Sequence, residues 1–522
     1  MELYSLLFFV FIAVLMALYY LVPSDHRYQN ALLLIGSLAF YAYHGVFNLI
    51  FILVTSLSVW MGALLMDRLS ASYGARRKAE TDKSVKREIK AEMTRRRRAV
   101  LFAVLILNFG ILAYLKYWNV LFHTSGLLFP LGISFYTFQA TGYLIDQYNN
   151  KYPAEKDYLR FLLFVSFFPQ LIQGPIGRYD QLGVQFGSRR SIDYESFKRC
   201  LLLAGFGFMK KYAVANLLSD SISIVLDGNI ASLSGSTIFT AVLMYSAQQY
   251  ADFSGGIDIV TAVSGMLGIR LMVNFRQPYF SVSLGDFWRR WHISLGTWMR
   301  DYVFYPFALL KFMQRFGKWC GKRLGSHAGR VIPAGIANIL VFFLVGIWHG
   351  AELHYIAWGL YNGIIIALSD LAEPFFKNVN DRLHISPLSR GMYIFRIIRT
   401  FLIVNIGWYF DRIYDIGDAF MALGRTFTSF NLRSLTFEIG NTMLNPDLVS
   451  PAYVLGGFAL AVIGCLVIFA VSILRERNVD VYLFIRSRAF PVRFALYQGL
   501  IFLILASFML ATSAGGFMYA NF

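Results

Sequence analysis

At 522 residues, with 57% hydrophobic, 17% aromatic and only 15% charged side chains, the chain holds more apolar surface than a soluble protein of this size can hide. Its net charge of +18 fits loops on the cytoplasmic side of a membrane and not a nucleic-acid binder, because no folded basic module is visible. Cys200, Cys320 and Cys465 are scattered and form no CxxC, which argues against a disulfide framework or a thiolate zinc site.

The apolar runs are continuous and not alternating, so the expected class is an all-α, polytopic membrane protein and not a barrel. In chain order the expected spans lie near 5–22, 30–44, 47–66, 99–118, 127–147, 158–173, 199–218, 237–257, 258–273, 331–349, 353–371, 393–411, 452–474 and 493–513. The first reads as a span and not a removable signal, because no basic region precedes it. Several runs are short or interrupted; 158–173 contains Pro169 and is followed by Gly174-Pro175, which suggests a re-entrant segment. The reading is about eleven or twelve true spans, plus partial and interfacial helices, in one integral domain over 1–522.

Two basic stretches set the orientation. The loop expected at 67–98 carries Arg76-Arg77-Lys78, Lys86-Arg87 and Arg95 to Arg98. A second, at 311–330, carries Lys311, Arg315, Lys318, Lys322, Arg323 and Arg330. The positive-inside rule places both in the cytoplasm and the N-terminus outside.

Between them, 274–305 is too charged to span and too aromatic for a free loop. As a continuous helix over 284–302, at ~100° per residue, it lines up Phe287, Trp288, Trp291, Trp298 and Tyr302 in one stripe. Arg289, Arg290 and Arg300 fall opposite, where headgroups or an anionic ligand would be met, and His292 lies at the stripe's edge. The plain alternative is a packed amphipathic helix with a hydrogen-bonded histidine.

His349 closes the apolar run 334–348 and is followed by Gly350, which suits a helix end. Free carbonyls at membrane depth are tolerated only beside protein or a water-filled cavity. A neutral imidazole there is suited to take the proton from an alcohol attacking an acyl group. A metal site of His349, Glu352 and His354 is disfavoured, because the histidines are five apart and Gly350 interrupts the helix. Tyr250, Asp252, Ser254 and Asp258 put two carboxylates in an apolar setting. They are expected to satisfy neighbouring backbone or arginine groups and to line the cavity. No G-x-S-x-G elbow, P-loop or strand-borne G-x-G-x-x-G is present.

Together these motifs resemble the membrane-bound O-acyltransferase family, and within it the alginate O-acetyltransferase branch. The matching segments include 132–139 with Tyr143 and Asp146, Phe168-Pro169, Gly174-Pro175-Ile176, 250–258, 287–292, Trp298 with Arg300-Asp301-Tyr302, 348–351, 358–361 and the aromatic tail 516–522. The resemblance implies helices around a central tunnel open to both faces. It makes His349 the catalytic histidine, assisted by His292. It also implies that Trp288, Trp291 and Trp348 exclude water, with Tyr250, Asp252, Ser254, Asn362, Arg289 and Arg290 lining the site. The implied donor is acetyl-CoA or an acyl-carrier protein, with no bound cofactor and no metal. The implied acceptor is an extracytoplasmic polysaccharide reached through a partner acyltransferase at a bacterial cytoplasmic membrane. Two departures concern donor and acceptor: 303–310 lacks the branch's glycine-rich Asn-Arg segment, and Asn362 stands where the family has histidine. The other readings are D-alanyl transfer to teichoic acid, a transporter of polymer or lipid-linked sugar, and a non-catalytic scaffold.

Overall fold

The computed structural model describes residues 5–23, 25–122, 130–191, 193–433 and 451–511. The expected aromatic tail at 516–522 lies outside these residues. Every regular element among them is helical. The chain forms two compact units, one built from residues up to Cys200 with Val260–Met272, the other from Leu201–Ile259 and the residues from Val273 onward.

The first unit contains α1 (Leu6–Leu21), α2 (His26–Tyr43), α3 (Leu49–Ala79), α4 (Lys83–Leu121), α5 (Ile133–Tyr148), α6 (Tyr158–Ser166) and α7 (Phe168–Gln173). The basic stretch 67–98 is not a loop: α3 and α4 run through it, and the chain leaves the helix only at 80–82. Its Arg, Lys, Glu and Ala residues are good helix formers, so the run of charge does not break the helix. Asp82 caps α4 by accepting the Ser84 N–H at 2.7 Å. Tyr73 donates to Glu92 at 2.8 Å, and Arg96 pairs with the same carboxylate at 2.8 Å. Arg97 donates to the last carbonyls of α5, those of Gln147 at 3.1 Å and Tyr148 at 2.8 Å. The segment 158–173 breaks at Phe167 into two helices of nine and six residues, each too short to cross a bilayer.

The second unit begins within α8 (Tyr194–Met209) and holds a π-helical turn at Lys210–Asn216, α9 (Leu217–Leu226) and α10 (Gly235–Met266) up to Ile259. The expected spans 237–257 and 258–273 are therefore largely one helix of 32 residues, α10. Gly255 and Gly256 stay helical within it. Then follow α11 (Leu284–Arg290), α12 (Ile293–Met299), a second π turn at Arg300–Phe304, α13 (Tyr305–Ala308), α14 (Lys311–Leu324), α15 (Ser326–His349), α16 (Leu353–Leu371) and α17 (Glu373–Arg382). The rest is α18 (Arg390–Arg412), α19 (Ile416–Thr428), α20 (Pro451–Glu476), α21 (Val481–Arg486) and α22 (Phe490–Leu510). The basic stretch 311–330 is likewise helical: Met313 and Cys320 of α14 are buried, while Gly317 and Gly321 approach Gly329 of α15.

Seven helical segments among the described residues are long and apolar enough to cross a membrane: α3, α4, α8 through α9, α15, α18, α20 and α22. The pair α16 and α17, bent by 52°, makes an eighth if counted as one span.

The packing that matters most for the site joins α15 to α16. A side chain at Gly359 would place its Cβ 2.3 Å from the Phe342 carbonyl oxygen, and one at Gly346 would reach 2.5 Å from that of Tyr355. The two backbones touch where these glycines meet, the usual way helices associate in lipid, where the apolar surroundings give no hydrophobic drive. This contact sets the ends of α15 and α16 side by side.

Candidate functional site

His349 is the last residue of α15, with Gly350 capping the helix by donating to the Gly346 carbonyl, as the sequence predicts. The residue is 5% exposed. Trp348 packs on it at 5.0 Å between ring centroids, and Trp358 of α16 packs edge-on at 4.9 Å.

The second histidine is reached differently from the sequence expectation. No single helix covers 284–302. The chain breaks between α11 and α12, where His292 adopts a left-handed conformation with φ 46° and ψ 52°. A β-carbon makes that conformation costly, and such strain gathers at functional sites. Asn274 supports it. Its Oδ1 accepts the Ser294 N–H at 3.0 Å and the Ser294 hydroxyl at 2.8 Å, and lies 3.2 Å from His292 Nδ1. The Asn274 carbonyl accepts the Ile293 N–H at 3.0 Å. One asparagine, 18 residues upstream, thus replaces the helical ladder at the break.

This arrangement fixes the tautomer. The Asn274 oxygen is already identified as an acceptor by the backbone N–H it receives, so His292 Nδ1 carries the proton. Nε2 is then the lone-pair nitrogen. Burial pushes the imidazole down to about 3, so His292 is neutral at physiological pH and suited to accept a hydrogen bond, not to take up a proton or serve as a standing cation. Below pH ~6.5 the unfolded chain gains a proton that the folded chain refuses until about pH 3. The contribution of His292 to stability is therefore complete above pH ~6.5 and declines as pH falls through that window. A His292→Gln variant is expected to flatten the acid side of the melting-temperature profile relative to wild type; parallel profiles would contradict the neutral assignment.

Trp348 links the two histidines. Its ring centroid is 6.3 Å from His292 and 5.0 Å from His349. Phe253 of α10 stands edge-on to His292 at 4.9 Å. Trp291 is 1% exposed and packs among Phe275, Phe287 and Trp408 at 5.1 to 5.6 Å, so it is a core anchor for the turn. Tyr250 packs against it at 6.1 Å. Arg290 is occupied: it meets both carboxylate oxygens of Glu476 at 3.0 and 2.9 Å and Asp286 at 3.2 Å, tying α11 to α20.

Trp288, Arg289 and Asn362 belong together. A cleft of about 550 Å³ is lined by Trp288, Arg289, Thr297, Arg300, Asn338 and Asp370, among others. Trp288 donates its indole N–H to Asn362 Oδ1 at 3.0 Å, and Asn362 donates to the Trp358 carbonyl at 2.9 Å. Trp288 stands edge-on to Trp358 at 5.5 Å, and Trp358 stands edge-on to His349. Two indoles therefore separate the cleft from His349. The Arg289 and Arg300 side chains are 72% and 54% exposed and pair with Asp286 at 3.8 Å and Asp301 at 2.9 Å, surface pairs that an anionic ligand can displace.

Lysines engage both carboxylates, Asp252 and Asp258, where arginine or backbone groups were expected, and Ser254 also donates to the Tyr250 carbonyl at 2.6 Å. Lys211 Nζ lies 2.6 Å from Asp252, and Lys210 Nζ lies 3.0 Å from Ser254 and 2.7 Å from Asp258. Of the disfavoured metal trio, His354 is turned away to donate from Nδ1 to the Phe410 carbonyl at 2.8 Å. Four residues not singled out as site residues by the sequence are essential to this geometry: Asn274, Trp358, Lys210 and Lys211. Asn274→Ala is expected to leave two buried Ser294 donors and one His292 donor without their acceptor, at about 1–3 kcal/mol each. Chemical denaturation would measure the loss, and Asn274→Asp, which keeps the acceptor, is expected to recover most of it.

The family model for MBOAT, the membrane-bound O-acyltransferase family, matches residues 153–318. The probable alginate O-acetylase AlgI of Pseudomonas syringae pv. tomato is 33% identical over 441 residues, covering 80% of this chain and 74% of the relative. The peptidoglycan O-acetyltransferase of Helicobacter pylori is 29% identical over 364 residues, 63% of this chain and 64% of the relative. The teichoic acid D-alanyltransferase of Bacillus subtilis is 29% identical over 308 residues, 56% of this chain and 73% of the relative. A multi-pass chain that shares this much sequence with such enzymes belongs to the membrane-bound O-acyltransferase family and is an O-acyltransferase.

Proposed function

We propose that the chain moves an acetyl group from acetyl-CoA on the cytoplasmic side to a hydroxyl of an extracytoplasmic polysaccharide, through a partner acyltransferase, in a bacterial cytoplasmic membrane. The observation that carries this reading is the ring path from the arginine-lined cleft through Trp288 and Trp358 to His349. Arg289 and Arg300 suit the phosphates of CoA, since a guanidinium binds phosphate oxygens two at a time. The cleft volume falls in the usual range for small-molecule sites. The basic residues of α14 support a cytoplasmic position for this side of the chain under the positive-inside rule.

His349 takes the proton from the attacking hydroxyl, which then bonds to the acyl carbon as the thiolate of CoA leaves. His292, neutral and fixed in one tautomer, accepts a hydrogen bond at Nε2 and orients the reacting groups. Trp288, Trp348 and Trp358 keep water from the thioester. The acceptor is read from the alginate and peptidoglycan relatives.

Similarity to D-alanyltransferases favours one rival, an aminoacyl group carried on a protein. Donor competition separates the two. Membranes containing the protein are given radiolabelled acetyl-CoA with or without unlabelled D-alanyl carrier protein, and label in O-esters is counted. Acetyl transfer that the carrier does not suppress supports the proposal; D-alanyl transfer with no acetyl transfer overturns it. In the same assay Arg300→Glu is expected to raise KM for acetyl-CoA about tenfold, the loss of one charge-assisted phosphate contact, with kcat little changed. An unchanged KM would remove the cleft from donor binding.

A further inference from the structure

We propose that the two buried lysine–carboxylate pairs between the Lys210–Asn216 π turn and α10 are positioning groups for His292. This rests on His292 and His349 forming the acyl-transfer site.

Lys210 and Lys211 are adjacent, each 2% exposed, in a segment long and apolar enough to cross a membrane. In an α-helix neighbouring side chains diverge by ~100°, and both could not face one partner helix. The π turn narrows that divergence, and such turns recur at functional sites. Both ammonium groups thereby reach α10, Lys211 at Asp252 and Lys210 at Ser254 and Asp258. The backbones approach closely beside them: a Cβ on Gly207 would stand 2.7 Å from the Gly255 carbonyl oxygen, and one on Gly255 would stand 2.9 Å from that of Gly207.

Stability alone does not account for this. A buried ion pair is often no more stable than apolar side chains of the same volume, and charge at membrane depth is costly. What a charged, hydrogen-bonded pair adds is direction. Asp252 and Ser254 flank Phe253, the residue that stands edge-on to His292. Tyr250, one turn earlier, packs on Trp291 and lies under Lys210 Nζ at 5.4 Å from its ring centroid. Both carboxylates are thus fastened on one side of α10, while its aromatic residues hold the Trp291–His292 turn. A rotation of α10 would carry Phe253 across the imidazole. The pairs set that rotation.

The test removes charge without leaving an orphan. A Lys211→Met, Asp252→Leu double variant is compared with wild type in membranes given radiolabelled acetyl-CoA, together with its melting temperature. The expected result is a fold as stable as wild type, an unchanged KM for acetyl-CoA and a kcat lower by ~10²-fold, the usual consequence of misplacing a reacting group by about 1 Å. A purely structural pair would leave kcat at the wild-type value in the folded variant, and that result overturns the proposal. Asp252→Glu keeps the pair and lengthens its arm by one methylene, so it decides the matter even where the double variant does not fold. A kcat reduced ~10-fold at unchanged KM supports positioning, and an unchanged kcat overturns it. Wild-type membranes that transfer no acyl group would overturn the acyl-transfer reading itself and this role with it.

Discussion

Replacement of His349 by alanine is expected to lower kcat for acyl transfer by about 10²- to 10⁴-fold, the range that a positioned general base contributes. The glycine contacts that hold α15 to α16 do not involve its side chain, so the fold is expected to persist. Nor can His292 take over as the base, because burial pushes its imidazole down to about 3 and the strained turn fixes its ring. Initial rates over a range of acetyl-CoA concentrations, with melting temperatures in the same detergent, check this. A variant that folds normally and keeps more than about a third of the wild-type kcat, well outside the range above, would take proton transfer away from His349.

The second large effect concerns the floor beneath that histidine. Gly359→Val is expected to destabilise the protein by about 3 kcal/mol or more, at the upper end for an overpacked site. The added Cβ would lie 2.3 Å from a backbone oxygen of α15, which cannot swing aside as a side chain can. What separates is the pair of helix ends that hold Trp358 against His349, so activity should fall further than stability alone explains. Gly424, whose added Cβ meets nothing within 4 Å, is the control: Gly424→Ala is expected to be nearly silent. Equal melting temperatures for Gly359→Val and wild type would show that α15 and α16 do not pack through their glycines.

The residues legible in the sequence are those whose role is local. The apolar runs at 331–349 and 353–371 became α15 and α16 nearly as read, because bilayer length and a terminal glycine are properties of the segment itself. His349 at a helix end was readable for the same reason. The basic stretches misled, since charge reports which side of a membrane a segment faces and says nothing against helix. The break at His292 was hidden because its cause, Asn274, lies 18 residues away in the irregular stretch before α11. The lysine pairs were hidden for the same reason on a larger scale, being 41 to 48 residues from their carboxylates. A lysine pair within an apolar run was nevertheless a usable signal: buried charge in a spanning segment implies a partner.

In the proposed reaction a thioester on one side becomes an ester on a hydroxyl by way of His349. Sealed inverted membrane vesicles test it most directly. Radiolabelled acetyl-CoA is supplied to the outward-facing cytoplasmic surface, and hydroxylamine-labile label is counted on lumenal glycan, for wild type and His349→Ala at matched amounts. Ester label with wild type and none with the variant is the predicted result. Equal ester label in both, or glycan accumulating in the lumen without ester label in either, would contradict it, the latter in favour of a transporter.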